Sequence, residues 1–313
     1  MRIRFLSLGI ILVAIVAFLI MRESPTTEKS ASFASSSASI TAESWNASKN
    51  IDAAFSSIES IQNRMNKNNS TSDVAGINNG NTYWGNSQTI RVINRGIFYG
   101  NLSNGAFDIS IGALEDLYAS NPNPSQSDID KAKSLVNYKN LTIWQPIPKG
   151  MSIDLRYMVD GYAADEAVFN LRQAGSSNIM VNIGKCYVTS GGKQWKIGLH
   201  NPFDTDSTSY MGSFSIAGRA VATTDSSENV IDPRTGKPVD NNIASATVIT
   251  TLSGIDASAM SNMLFIMGQS AFPIIESQDA EGIIITNDHK VYTTFGEDDN
   301  LFKITDNSFT YAQ

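Results

Sequence analysis

The chain has 313 residues, enough for one large domain or about two of roughly 150 residues each. Hydrophobic residues make up 42%, which excludes a wholly disordered chain, and 23 Lys+Arg against 30 Asp+Glu leave a net charge of -7, which argues against a nucleic-acid-binding face. One Cys and two His exclude an internal disulfide, a Cys-based zinc site and a His-rich metal centre, so any cation would be held by oxygen ligands, as Mg²⁺ and Ca²⁺ are.

Residues 5–21 are almost entirely apolar and uncharged, between Arg2 and Arg4 on one side and Arg22 on the other. This is the lower edge of a membrane-spanning length. No small-x-small cleavage site follows closely, and the sole Cys, Cys186, excludes lipidation at the end of the run. The expectation is an uncleaved anchor over 1–22, with the basic start in the cytoplasm and the rest of the chain extracytoplasmic. Residues 23–31 read as a polar tether and 32–313 as the folded part. The Ser-rich stretch 32–40 fits either linker or a first strand.

Apolar residues at 51, 54, 55, 58, 61 and 65 predict a helix, and 66–81 is rich in Asn, Ser and Gly and reads as loop. A second helical pattern covers 90–102, a break falls at Asn121-Pro-Asn-Pro124, a short helix is expected over 127–136 and a strand over 141–144. Residues 162–174 predict a helix closed by Gly175. Strands are expected over 179–183, 195–199, 246–251, 282–286 and 290–294, and a buried helix over 257–268. Helices and strands mix without strict alternation, which predicts an α+β (mixed α/β) fold. No P-loop, GxGxxG, HExxH or EF-hand pattern occurs.

Four short segments carry acidic or turn chemistry. In Gly105-Ala-Phe-Asp-Ile-Ser-Ile-Gly112, Asp108 stands at the mouth of an apolar run, where it also suits a helix cap. In Ile153-Asp-Leu-Arg-Tyr-Met-Val-Asp-Gly-Tyr-Ala-Ala-Asp165, three carboxylates cluster at a helix start, which suits phosphate binding or simple capping by Asp160. Val230-Ile-Asp-Pro-Arg-Thr-Gly-Lys-Pro-Val239 has the residues of a tight turn. In Gly254-Ile-Asp-Ala-Ser-Ala-Met-Ser-Asn262, Asp256 opens a helix and suits either a cap or a cation.

Taken in order, GAFDISIGAL, IDL with DGYAADEA, VNIG, IDPRTGKPV and IDASA resemble the FAD:protein FMN transferase (ApbE) family, and Thr71-Ser-Asp-Val-Ala-Gly-Ile-Asn78 resembles its Ser-Glu-x-Ser-x-x-Asn segment. The resemblance runs from about residue 50, or from Ser32, to the end. It implies a two-lobed domain that splits FAD, passes FMN to a Thr or Ser hydroxyl of a membrane or exported redox protein, and releases AMP, with Mg²⁺ at the pyrophosphate. Carried over by position, it implies that Ala106, Phe107, Asp108, Asp154, Asp160 and Ile231 contact the flavin nucleotide. Asp256 would ligate Mg²⁺, with the positions of Met260 and Tyr157 as the other metal contacts.

The sequence departs from the family pattern at several of these places. Ala34-Ser-Ser36 replaces Met-Gly-Thr, Arg156-Tyr157 replaces Gly-Gly or Ser-Thr, and Asn182-Ile-Gly-Lys-Cys186 replaces Asn-Ile-Gly-Gly-Asp. Ala222-Thr-Thr-Asp225 replaces Ala-Thr-Ser-Gly, Asn229 takes the place of a His that is a candidate base, and Met260 takes that of a Thr ligand. These departures set two alternatives beside the transferase: a non-catalytic relative that binds a flavin or a partner, and an FAD pyrophosphatase. His200 is expected at the surface and Cys186 as an inert buried thiol.

Overall fold

Residues 243–250, Ile-Ala-Ser-Ala-Thr-Val-Ile-Thr, form a strand buried along its whole length, and the molecule is organised around it. Past a register shift between Ile243 and Ser245, its side chains alternate. Ala246 and Val248 point into a core of helices, whereas Ile249 points into a second core on the opposite face, as strand geometry requires. A strand apolar on both faces must be covered twice. That requirement produces the two lobes.

The computed structural model describes residues 24–312 except 35, 82–83, 207 and 297–300. In chain order the elements are β1 (Thr26–Ser32), β2 (Ser37–Glu43), α1 (Ala47–Met65), α2 (Asp73–Asn78), α3 (Ser87–Leu102), α4 (Gly112–Ser120), α5 (Gln126–Lys133) and α6 (Arg156–Gln173). They continue with β3 (Ser177–Ile183), β4 (Cys186–Ser190), β5 (Trp195–His200), β6 (Tyr210–Ile216), β7 (Ala220–Asp225), β8 (Ile231–Asp232), β9 (Lys237–Pro238) and β10 (Ile243–Thr250). Last come α7 (Gly254–Met267), α8 (Phe272–Glu276), β11 (Ala280–Thr286), β12 (Lys290–Thr293), β13 (Phe302–Ile304) and β14 (Thr310–Tyr311). The main sheet has nine strands in the order β1-β2-β3-β4-β7-β10-β11-β12-β14. Its pairings are antiparallel except β12 with β14. Helices α1, α6 and α7 cover one face, and the three-stranded sheet β13-β6-β5 covers the other. The mixed α/β, two-lobed expectation holds.

Several local expectations change. The stretch 23–31, expected as tether, is largely β1, paired residue for residue with β2. Its alternating polar sequence, Thr-Thr-Glu-Lys-Ser-Ala-Ser, suits an edge strand with one wet face. The expected loop 66–81 contains α2, capped by the Ser72 hydroxyl on the Ala75 N–H. The expected strand 141–144 is a turn following a single 3₁₀ turn, and Trp144 adopts a left-handed φ of 67°. Helix α6 begins at Arg156, six residues earlier than periodicity suggested, and Gly175 follows its end at φ 80°. No helix among the described residues is long and apolar enough to cross a membrane, and the apolar run 5–21 lies outside them.

Helices α6 and α7 cross at two glycines. A Cβ on Gly161 would lie 2.3 Å from the Gly254 carbonyl oxygen, and one on Gly254 would lie 2.7 Å from that of Gly161. Only bare backbone fits there. Gly161→Ala should therefore destabilise the fold by about 2 kcal/mol, although Ala is the better helix former. Gly192→Ala, with open space around it, should stay within about 0.5 kcal/mol of wild type. Urea denaturation of the two variants checks this, and equal midpoints would refute the crossing constraint.

Candidate functional site

Two segments far apart in sequence are tied together by backbone pairing. The Asp154 N–H donates to the Ile109 carbonyl (2.8 Å), and the Gly112 N–H donates to that of Ser152 (2.9 Å). Asn78 adds a clamp: its side-chain oxygen accepts from the Ile153 N–H (2.7 Å) and its amide donates to the Ile153 carbonyl (3.0 Å). These contacts bring Asp108 and Asp154 to one place. Phe107, Asp108, Asp154, Tyr157 and Ile231 line one crevice, together with Asn262 of α7, and Ala106 is buried next to Phe107.

Asp108 does not cap a helix. One of its oxygens accepts from the Ser110 N–H (2.8 Å) and hydroxyl (2.7 Å), the other from the Tyr138 N–H (3.0 Å). Burial pushes its carboxyl up, and these bonds oppose the shift. Asp154 accepts from Arg156 at three atoms: the backbone N–H (3.0 Å), Nε (2.9 Å) and Nη2 (2.6 Å). The remaining arm of Arg156 reaches Glu115 (3.1 Å), to which Tyr157 also donates (3.4 Å). Lys67 stands 3.6 Å from Asp154 and 2.5 Å from Asp116. Arg156 and Tyr157 thus occupy the place where the family pattern has small residues. The crevice that remains is about 10 Å³, room for about one water. The Asn262 amide nitrogen faces this region without a partner, on a side chain only 2% exposed.

Asp160 belongs to a second, open cleft of about 440 Å³, which it lines with Arg156, Tyr157, Lys185, Glu228 and Ser258. It accepts from Gln62 (2.7 Å), which also donates to the Ser36 hydroxyl (2.7 Å). Burial raises the Asp160 carboxyl, and the bonds from Gln62 and Ser36 oppose that. Lys185 reaches Asp225 (2.6 Å) and Glu228 (3.0 Å). Burial lowers its amine, but the carboxylates beside it outweigh that and raise it. Asp160 is not a cap, because α6 has already run more than one turn when it reaches that residue. Asn229 ends the 3₁₀ turn 226–228 in a left-handed conformation, φ 49°, and is in the wall of neither cavity. An amide cannot take up a proton as a base.

Helix α7 places Asp256 elsewhere. Its carboxylate accepts from Arg95, from the Tyr99 hydroxyl (3.0 Å) and from the Ser253 hydroxyl. It lines a separate hollow with Arg91, Asp165 and Glu166. Met260 is fully buried in the helical core. The faces of α7 turned toward the open cleft are those of Ser258 and Ser261, and Asn262 turns toward the crevice. An Asp and a Thr four residues apart, set to face the cavities, would stand at 258 and 262, two residues beyond 256 and 260. The Asp256 oxygens are already taken, and Tyr157 is engaged with Glu115. No group of three His, Cys, Asp or Glu able to hold a metal occurs among the described residues. The residues implied for Mg²⁺ do not fit it.

A family model describing the ApbE family matches residues 34–284. The chain belongs to the ApbE family. It is 26% identical over 234 residues to the FAD:protein FMN transferase of Escherichia coli K12, an alignment that takes in 65% of this chain and 66% of that protein, just under two thirds of its length. The crystal structure of the ApbE protein of Thermotoga maritima superposes with a TM-score of 0.74 at 23% identity, covering 84% of this chain and 94% of that one. The Vibrio cholerae flavin transferase ApbE superposes with a TM-score of 0.74 at 21% identity, covering 91% and 98%. These superpositions establish a shared ApbE fold.

Lys185 and Glu228 were missed by sequence reading as cleft residues. Lys185 was legible only as a substituted glycine. Cys186 is buried as expected, its thiol raised by burial. His200 lies in an exposed setting, bonded to the Asp206 carbonyl (2.8 Å).

Asp165 caps α7 by accepting from the Gly254 N–H (2.6 Å) and the Ile255 N–H (3.0 Å). Burial pushes its carboxyl up to about 7 against those bonds, with Asp256 and Glu166 adding to the rise. The folded-state value lies above the unfolded one of about 3.9. Its stabilising contribution is therefore complete below pH ~4 and is lost as pH rises through about 7. Thermal melting of wild type should show a midpoint that falls between about pH 4 and 7 and levels off above that, and Asp165→Asn should flatten it. Parallel pH profiles would contradict the assignment.

Proposed function

We propose that this chain binds FAD and transfers its FMN moiety to a Thr or Ser hydroxyl of a target protein, releasing AMP. The observation that carries this is the open cleft of about 440 Å³ in which Asp160, Lys185 and Glu228 stand, beside the crevice of Phe107, Asp108, Asp154 and Ile231. The name of the Escherichia coli relative, FAD:protein FMN transferase, supports it. In the transfer, the acceptor oxygen forms a bond to the FMN phosphorus, the pyrophosphate P–O bond breaks, and AMP leaves with the bridging oxygen. The hydroxyl proton passes to a carboxylate. Asp160 and Glu228 face the cleft, and burial raises both, which makes them better proton acceptors than a free carboxylate. The acceptor is an exported or membrane redox protein, and residues 1–22 anchor the chain with its folded part extracytoplasmic. The uncharged run 5–21 supports this topology.

One observation favours a second reading, a non-catalytic flavin- or partner-binding relative: the crevice, walled by Tyr157 and by an Asp154 that is locked to Arg156, is only about 10 Å³. Full-length protein incubated with FAD and a Thr-bearing acceptor domain, with and without Mg²⁺, separates the two. Covalently fluorescent acceptor together with released AMP is expected. FMN and AMP without labelled acceptor would indicate a pyrophosphatase. Bound but intact FAD would establish the non-catalytic relative. Arg156→Gly should increase labelling at least several-fold if the guanidinium obstructs the nucleotide, and unchanged labelling would reject that role. Proteinase accessibility in intact cells tests the topology, and a protected folded part would overturn it.

A further inference from the structure

The chain enters its folded part at one end of the main sheet. The Ser44 N–H donates to the Pro25 carbonyl (3.2 Å), and Thr26 of β1 pairs with Glu43 of β2. The apolar run 5–21 stops shortly before Pro25, a span of about 14 Å at full extension. Whatever holds that run therefore lies within that distance of this end of the sheet. The residues exposed there suit a bilayer surface. Trp45, next to Ser44, is 57% exposed. Lys49, in the first turn of α1, and Arg172, in the last turn of α6, are exposed. The Asn50 amide joins these two helix ends by donating to the Ala174 carbonyl (3.3 Å). Lys193 adds a third cation, its side chain 38% exposed and bonded to Glu43 (3.0 Å). Trp rings settle at the headgroup level of membranes, and Lys and Arg are drawn to anionic lipid.

The open cleft lies at the other end of the same strands. Ser32 of β1 pairs with Ser37 of β2, and Ser36, Ser37, Gly184 and Lys185 line the cleft. The length of β1, about 20 Å at the rise of a strand, separates the two ends. We propose that the end carrying Trp45, Lys49, Arg172 and Lys193 rests on an anionic bilayer and holds the cleft of Asp160 about 20 Å away from it. The proposal rests on residues 1–22 being the membrane anchor. A tether sets only the distance of this end from the lipid, whereas the Trp ring and the cations set its orientation. The cleft then meets an acceptor hydroxyl carried on an extramembrane part of its target, and not one at the lipid surface.

Full-length protein reconstituted in vesicles of phosphatidylethanolamine and phosphatidylglycerol tests this. Asn46→Cys and Ser32→Cys, both at exposed positions, are labelled with a thiol-reactive fluorophore. Wild type, whose Cys186 is buried, is the control for background labelling. A quencher on the lipid headgroups should reduce emission from position 46 about threefold or more and leave that from position 32 nearly unchanged. Exchanging phosphatidylglycerol for phosphatidylcholine should remove about half of the quenching at 46, with the protein still floating with the vesicles. Trp45→Ala, or Lys49→Glu combined with Arg172→Glu, should do the same. Vesicle-bound protein that is not quenched at 46, or is quenched equally at both positions, would overturn the orientation and leave the anchor standing. Quenching at 46 that ignores the lipid exchange and all three substitutions would overturn the role of this face. Protein that does not float with the vesicles would reject the anchor, and the orientation with it.

Discussion

The crossing of α6 over the start of α7 fixes the remainder of the site. Gly161 and Gly254 let the two backbones touch, and Asp165, one turn further along α6, accepts both free N–H groups at the head of α7. A carboxylate on the first N–H groups of a helix is favoured by the aligned peptide dipoles. Steric fit and electrostatics therefore lock the rotation of α7 about its own axis. Once that rotation is set, Ser258 and Ser261 face the open cleft, Asn262 faces the crevice, and Asp256 is carried round to Arg95 and Tyr99.

This explains why the acidic residue most visible in the sequence lines neither the crevice nor the open cleft. Spacing alone aligns Asp256 with a metal-binding position, but a helix turns 100° per residue, so a shift of two residues moves a side chain to a different face. The Asp256 carboxylate is satisfied by a guanidinium and two hydroxyls. Its role is to hold α3 against α7.

Much of the fold was legible because periodicity reports burial directly. The stripe at 51, 54, 58, 61 and 65 matches the buried face of α1, and the apolar runs at 179–183 and 282–286 fall inside β3 and β11. Strand β1 escaped notice because an edge strand with a wet face carries no apolar signal. Strands β6 and β7, rich in Ser, Gly, Ala and Thr, draw their burial from the sheets around them. At the site, the grouping of Asp108 with Asp154 was legible through motif order. The pairing that achieves it, Asp154 to Ile109 with the Asn78 clamp, is a backbone event with no residue signature. The place of Arg156 was visible as a substitution, but its two partners, Asp154 and Glu115, were not.

Those partners change how the crevice is stabilised. Without Arg156, the buried carboxylates of Asp154 and Glu115 would face each other with only Lys67 nearby, and burial already raises Glu115. A pocket of that kind needs a cation or a ligand's donors to balance it, because unpaired buried charge is costly. The guanidinium supplies that balance from within the chain, donating to both carboxylates in fixed fork geometry. The crevice is thereby complete in the free protein. A nucleotide entering it would have to break three charge-assisted contacts before making any of its own. The cleft at Asp160 is open by contrast, about 440 Å³, with Arg156 and the Lys185–Glu228 pair in its wall. A ligand there meets the half-exposed Lys185 amine in its pairs with Asp225 and Glu228, and need not first separate Arg156 from Asp154 and Glu115.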